Sequence, residues 1–177
     1  MTLSTTSRSH PSLLLTAAAN MTATIELNDA CPGHWTPDYD FCLRVLTTAC
    51  QAVGLNHDVT ISLSFVDAEE SLALNSRWRK KNTSTNVLSF SAEWPEGLKD
   101  NLTSEPLGDI VICPIVVEAE AREQLKNLEE HWAHMLVHGF YHLIGYNHMT
   151  KSESATMEEL ETECLKKLGI SNPYLLV

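Results

Sequence analysis

Apolar and polar residues alternate strictly from Val59 to Val66, the two-residue period of a strand with one face buried. Ala23 to Asn28 shows the same alternation, and Asn86–Ser91 and Gly108–Cys113 read as two further strands. Between them the period changes. Phe41, Val45, Leu46, Ala49 and Val53 form one helical stripe ending at Gly54, with Thr36 as the expected N-cap and Pro37 at the first helical position. Asp67 caps a second helix, with Glu70 three places on and Leu72, Leu74 and Trp78 among its apolar residues. A polar loop containing Trp94-Pro95-Glu96-Gly97 joins the third and fourth strands, and Pro114 ends the fourth. The remainder reads as helices over 116–125, 127–146 and 152–168. Leu128, Trp132, Met135, Leu136, Leu143 and Ile144 supply core surface on the middle one, and Met157, Leu160, Cys164 and Leu165 do so on the last. The many glutamates of that last helix are expected to form a solvated face.

The order β-α-β-α-β-β-α-α-α implies an α+β fold. We expect a single domain over residues 21–177, with a small mixed four-stranded sheet covered by about five helices. Residues 1–20, rich in Ser, Thr and Ala, are expected to be a disordered extension. Their apolar run is at the lower limit for an export signal and carries a lone Arg8 before it. No apolar stretch approaches the ~20 residues needed to cross a bilayer.

Composition narrows the function. Twelve basic against 23 acidic residues give a net charge of −11, which argues against generic nucleic-acid binding through a basic surface. Cys31, Cys42, Cys50, Cys113 and Cys164 are odd in number and contain no C-x-x-C pair. That pattern fits reduced thiols in a cytoplasm and no disulfide-linked partner.

One segment carries chemistry. His138, His142 and His148 stand in the order H-x-x-x-H-x-x-G-x-x-H. Residues four apart share a helix face, so His138 and His142 aim at one point. Gly145 stands where the helix would break, allowing the chain to return with His148. Three neutral imidazoles with an open fourth position are a catalytic zinc ligand set. His134 lies about 12 Å along a straight helix from His142, too far to share an ion held at about 2.1 Å. It is expected beside the ligands or on the substrate side, and His131 on the surface. Metzincin peptidases use this spacing with a glutamate base after the first histidine, the arrangement of zincin helices. Here that position is Gly139, so a peptidase reading keeps the metal and loses the base.

Four of the 12 basic residues, Arg77, Arg79, Lys80 and Lys81, fall within five positions. Guanidinium binds phosphate oxygens bidentately, which suits a phosphate-bearing substrate. The same charges also complement the negative end of a helix dipole, and composition leaves both readings open.

Three stretches together resemble one family. The histidine motif, Trp78-Arg79-x-Lys81 running into Asn86-Val87-Leu88-Ser89-Phe90, and Leu107-Gly108-Asp109-Ile110-Val111-Ile112 are similar to the YbeY endoribonucleases, or rRNA maturation factors, over about Ala23–Tyr174. The resemblance implies a zinc-type ion on His138, His142 and His148, with His138 and Arg79 in catalysis. It also implies cleavage of single-stranded RNA in maturation of the small-subunit rRNA 3′ end, ribosome quality control and small-subunit assembly. Its partners would be rRNA, the small ribosomal subunit and its assembly factors. Arg79, Lys80 and Lys81 would hold the RNA backbone. The chain departs from the family at Asn147, where an aspartate is usual before the third histidine, and at Asn82-Thr83-Ser84-Thr85. Asn147 is expected next to the ligands and cannot act as a carboxylate base. A second class stays open: an RNA-binding assembly factor whose metal is mainly structural.

Overall fold

The computed structural model describes residues 21–93 and 102–175. The expected N-terminal extension and the Trp94–Gly97 loop lie outside the described residues. Among the described residues four strands and five helices follow in the order β1 (Ala23–Asp29), α1 (Tyr39–Ala52), β2 (Val59–Phe65), α2 (Ala68–Arg79), β3 (Val87–Ser91), β4 (Glu105–Ile112), α3 (Pro114–Glu123), α4 (Leu128–Leu143) and α5 (Lys151–Lys167). The sheet runs β1-β2-β4-β3. β1 and β4 flank β2 in parallel, whereas β3 pairs with β4 antiparallel. This is the expected α+β domain.

Burial explains the alternation. On β2, Val59, Ile61, Leu63 and Phe65 are fully buried while the residues between them are half-buried. Phe65 meets the α4 residue Trp132 edge to face, with ring centroids 5.0 Å apart. α4 is the central helix. Trp132, Leu136, Phe140 and Tyr141 are each 0 % exposed, burial that stabilises by about 1.5–3 kcal/mol per large side chain.

Two features hold α4 tightly on β3 and β4. Ser89 and Ser91 of β3 donate to the carbonyls of Gly139 and Leu143, both at 2.8 Å. Gly139 lets the helix approach, for a Cβ there would stand 3.0 Å from Ile110 Cγ2 and 3.1 Å from Val87 Cγ2. A glutamate at this position would have to enter the sheet face. The missing peptidase base therefore has a packing cause.

The boundaries bring corrections. Asp38, not Thr36, caps α1, its Oδ1 accepting from Phe41 N at 2.8 Å. Thr36 instead donates its hydroxyl to Asp29 at 2.7 Å. β4 starts at Glu105, before Gly108, and α3 begins at Pro114 without the expected gap. The buried positions of α2 are Ser71 and Asn75, while Leu72 and Trp78 face outward. Ser71 Oγ accepts from Thr85 N at 2.9 Å and donates to Thr85 O. Asn75 Nδ2 donates to Thr83 O at 2.8 Å. These bonds replace an apolar contact and tie the end of α2 to the segment that enters β3.

Gly108 has φ +130°, and a Cβ there would lie 2.1 Å from Phe90 O and 2.8 Å from Ala92 N, both backbone atoms of the paired chain. Gly108→Ala should therefore lower stability by more than about 2 kcal/mol, read as a drop in the thermal midpoint. A midpoint equal to the parent's would refute this account of the β3–β4 register.

Candidate metal centre

α4 is capped by Asn127, whose side chain accepts from Glu130 N at 3.2 Å, and carries His131, His134, His138 and His142. The helix closes with Gly145 N bonded to His142 O and Tyr146 N to Tyr141 O. Gly145 takes φ +95°, the left-handed conformation that reverses the chain. α5 then begins in a capping box between Thr150 and Glu153, and Ser154 Oγ donates to His148 O at 3.2 Å, fixing the intervening turn.

The three sequence-predicted imidazoles meet. One ring nitrogen from each of His138, His142 and His148 lies within 4.8 Å of the others. Nε2 of His138 and of His142 stand 3.0 Å apart. The His148 ring centroid is 5.5 Å from that of His138 and 5.0 Å from that of His142.

Their other nitrogens decide the electrostatics. His142 Nδ1 faces the Tyr146 carbonyl at 2.9 Å, and a carbonyl only accepts, so Nδ1 carries the proton. His138 Nδ1 faces the Glu161 carboxylate at 2.8 Å and is protonated for the same reason. In neutral rings the two Nε2 lone pairs then confront each other. Burial lowers the His142 pKa to about 4, assisted by the charges of His138, His148 and Arg79 and opposed by the Tyr146 carbonyl. A cation between the rings would convert this repulsion into ligation, so the donor set fits a metal ion.

Glu161 is the residue that sequence reasoning missed. The glutamates of α5 do not all form a solvated face, because Glu161 is 0 % exposed. Its Oε1 accepts from His138 Nδ1 and its Oε2 from His134 Nε2, both at 2.8 Å, while the Tyr174 hydroxyl also donates to Oε2. Burial opposes its ionisation, but the hydrogen bonds and charges of His134 and His138 win and hold its pKa down at about 2. A signal was present. Position 161 falls within the stripe of Met157, Cys164 and Leu165, where a charged residue needs a buried partner.

His134 stands beside the three imidazoles, linked to His138 through Glu161, and burial lowers its pKa despite that carboxylate. His131 is not on the surface. It is 3 % exposed and its Nε2 donates to Glu120 at 3.1 Å, a carboxylate that Asn86 Nδ2 also contacts.

Arg79, Lys81, Ser89, Ser91, His142, Gly145, Asn147, His148 and Met149 line one cleft of about 590 Å³. Arg79 is the last residue of α2, and burial lowers its pKa from the ordinary value. Lys80 takes the left-handed C-cap conformation and its Nζ donates to Arg77 O at 2.9 Å, so this ammonium serves the helix end. Asn147 faces the cleft, its amide donating to Gly145 O at 3.4 Å. Among the described residues lining the cleft there is no carboxylate.

Comparison with known proteins identifies the family. The sequence model of the family described as Endoribonuclease YbeY matches residues 38–169. A protein named Endoribonuclease YbeY from Francisella tularensis subsp. tularensis is 42 % identical over 142 residues, covering 80 % of this chain and 87 % of that protein. Its counterpart from subsp. novicida is 41 % identical with the same coverage. The solution structure of a Thermotoga maritima protein shares the fold, with TM-score 0.51 and 21 % identity over 86 % of this chain and 99 % of that one. By profile, by identity and by length of match, the chain belongs to the YbeY endoribonuclease family.

Proposed function

We propose that this chain is a metal-dependent endoribonuclease that cuts single-stranded RNA, acting in the cytoplasm on the 3′ end of small-subunit rRNA during ribosome assembly and quality control. The observation carrying this reading is the pair of Nε2 atoms 3.0 Å apart, one of them on His142, which lines the cleft that also holds Arg79 and Lys81. His138, His142 and His148 would hold the ion, for which zinc is our assignment; nickel or copper also accept imidazoles. When bound, such an ion supplies Lewis-acid stabilisation of charge on a phosphodiester.

The chain's own side chains do the rest. Arg79 grips non-bridging phosphate oxygens through its planar fork and stabilises the charge that develops on them. Lys81 adds a point charge to the same wall, giving affinity that falls as salt rises. Lys80 supports this wall by closing α2. His138 enters catalysis as a ligand. Its Nε2 faces the shared point and its Nδ1 is tied to Glu161, so neither nitrogen is free to shuttle a proton.

The competing reading is an assembly factor with a structural metal. Structural zinc sites are closed by four protein ligands, whereas these three imidazoles sit beside an open cleft. That difference favours an enzyme. A zincin-type peptidase is disfavoured by Gly139, which leaves no carboxylate at the position after the first histidine.

Elemental analysis of freshly purified protein should find about one transition-metal ion per chain, lost in His138→Ala. Unchanged stoichiometry in that variant would refute the ligand assignment. His142→Ala should keep its binding to ribosomal particles and lose cleavage of single-stranded RNA; cleavage equal to the parent's would trace the activity to a contaminant. Arg79→Lys keeps a charge but not the fork, and kcat should fall on the order of 10²-fold with metal content unchanged. A kcat within experimental error of the parent's would remove Arg79 from the chemistry.

The metal-free protein should also be acid-sensitive. His142 and His134 take up protons less readily folded than unfolded, where their pKa is near 6.5. As pH falls from 6.5 toward about 4, the unfolded chain binds more protons, so stability declines across that window. Thermal midpoints after chelator treatment should track this decline, and a flat profile would count against neutral buried imidazoles.

A further inference from the structure

Glu161 gathers three hydrogen-bond donors from two separate parts of the chain. His138 Nδ1 and His134 Nε2 reach it from α4 at 2.8 Å each, and the Tyr174 hydroxyl reaches it from the segment that follows α5. An ionised carboxylate at 0 % exposure is tolerated only when its oxygens are fully engaged. Here both oxygens are engaged, one by His138 and the other by His134 and Tyr174.

We propose that Glu161 is the positioning residue of the metal centre and that Tyr174, on the C-terminal segment, is its clamp. This rests on the assignment of His138 as a ligand. A neutral imidazole carries one proton, and the partner of one nitrogen decides which nitrogen holds it. A carboxylate accepts and does not donate, so it keeps the proton on Nδ1. The Nε2 lone pair is thereby directed at the point shared with His142 and His148, and the negative charge makes that nitrogen a stronger donor to a cation. His142 obtains the same orientation from the Tyr146 carbonyl, which carries no full charge. The two helical ligands are thus held by different devices, and only that of His138 depends on a distant helix.

Tyr174 completes the arrangement. Asn172 Oδ1 accepts from Tyr174 N at 2.8 Å, fixing the turn that presents the ring. The ring packs edge-on against His134, with centroids 5.3 Å apart and planes at 81°. Its hydroxyl meets the oxygen that His134 also uses, which prevents Glu161 from rotating away from His138. The end of the chain is in this way connected to the ligand geometry.

The test measures zinc binding to the full chain by competition with a chromogenic chelator, together with the His138 tautomer by two-bond ¹⁵N–¹H correlation. In the metal-free parent, His138 should be the Nδ1–H tautomer. Glu161→Gln keeps the volume but sets an amide NH₂ against one of two N–H donors, so a tautomer must change. Its zinc affinity should fall about 10- to 100-fold. Tyr174→Phe removes only the hydroxyl of a half-exposed residue and should weaken zinc about 3- to 10-fold, the lower part of the range for such partners. Glu163→Gln, exposed on the same helix, should bind as the parent does. Parental zinc affinity and an unchanged His138 tautomer in Glu161→Gln would overturn the proposal. Should that variant not fold, the same two results in Tyr174→Phe would overturn it. If the parent itself binds no zinc, the ligand assignment falls, and the tautomer shift alone then decides whether Glu161 positions His138.

Discussion

A helix that carries imidazole N–H groups into the core must find an acceptor for each of them, and this constraint organises the site. α4 packs on the sheet through Gly139 and against α1, α3 and α5, yet it bears four histidines. In a low-dielectric interior an unpaired imidazole N–H costs about 1–3 kcal/mol. Each ring therefore draws an acceptor from elsewhere: Glu120 for His131, Glu161 for His134 and His138, and the Tyr146 carbonyl for His142. Those acceptors fix the tautomers, and the tautomers turn two Nε2 lone pairs toward each other. The chemistry of the site thus follows from the need to satisfy a core helix.

This same dependence explains what could be read in the sequence and what could not. The convergence of the three imidazoles was legible because its geometry is local, with two residues on one helix turn and a third just past a glycine. β2 was legible because its alternation maps directly onto burial of Val59, Ile61, Leu63 and Phe65. Glu161 was not, since it belongs to another helix, 23 residues after His138, and its type suggested solvent. His131 was misplaced for the same reason: its partner Glu120 lies on α3. In α2 the buried residues are Ser71 and Asn75, which bond to loop carbonyls, so apolar periodicity had nothing to report. Periodicity records which face is apolar. It does not record which polar residue will be matched across a tertiary contact.

Charge poses a second problem for an acidic protein that handles RNA. With a net charge of −11 the molecule as a whole repels a polyanion. Concentrating Arg79 and Lys81 on the cleft wall reverses the sign locally, within a Debye length of roughly 8–10 Å at physiological salt. The lysine beside them is used differently, since Lys80 is turned back on the Arg77 carbonyl. A cluster of four basic residues in sequence is therefore divided in space. Some of it faces the cleft, and some ends a helix. Of the two readings that composition left open for this cluster, the helix-end one describes Lys80, while Arg79 and Lys81 stand where the phosphate reading would need them.

The break at Gly145 is what turns a linear helix into a three-point site. Continuing α4 would carry His148, ten residues past His138, about 15 Å along the axis at 1.5 Å per residue, beyond the reach of an ion held by the first two histidines. Reversal at φ +95° brings His148 back within ligand distance. It also leaves His148 exposed, where it lines both the cleft of Arg79 and a second pocket walled by His138, Glu158, Glu161 and Tyr174. The Glu161 side orients His138, while the opening on the other side carries Arg79 and Lys81. A fourth protein ligand in that opening would make the site more stable and would exclude the substrate, so the departure from helical geometry at a single glycine separates a catalytic arrangement from a structural one.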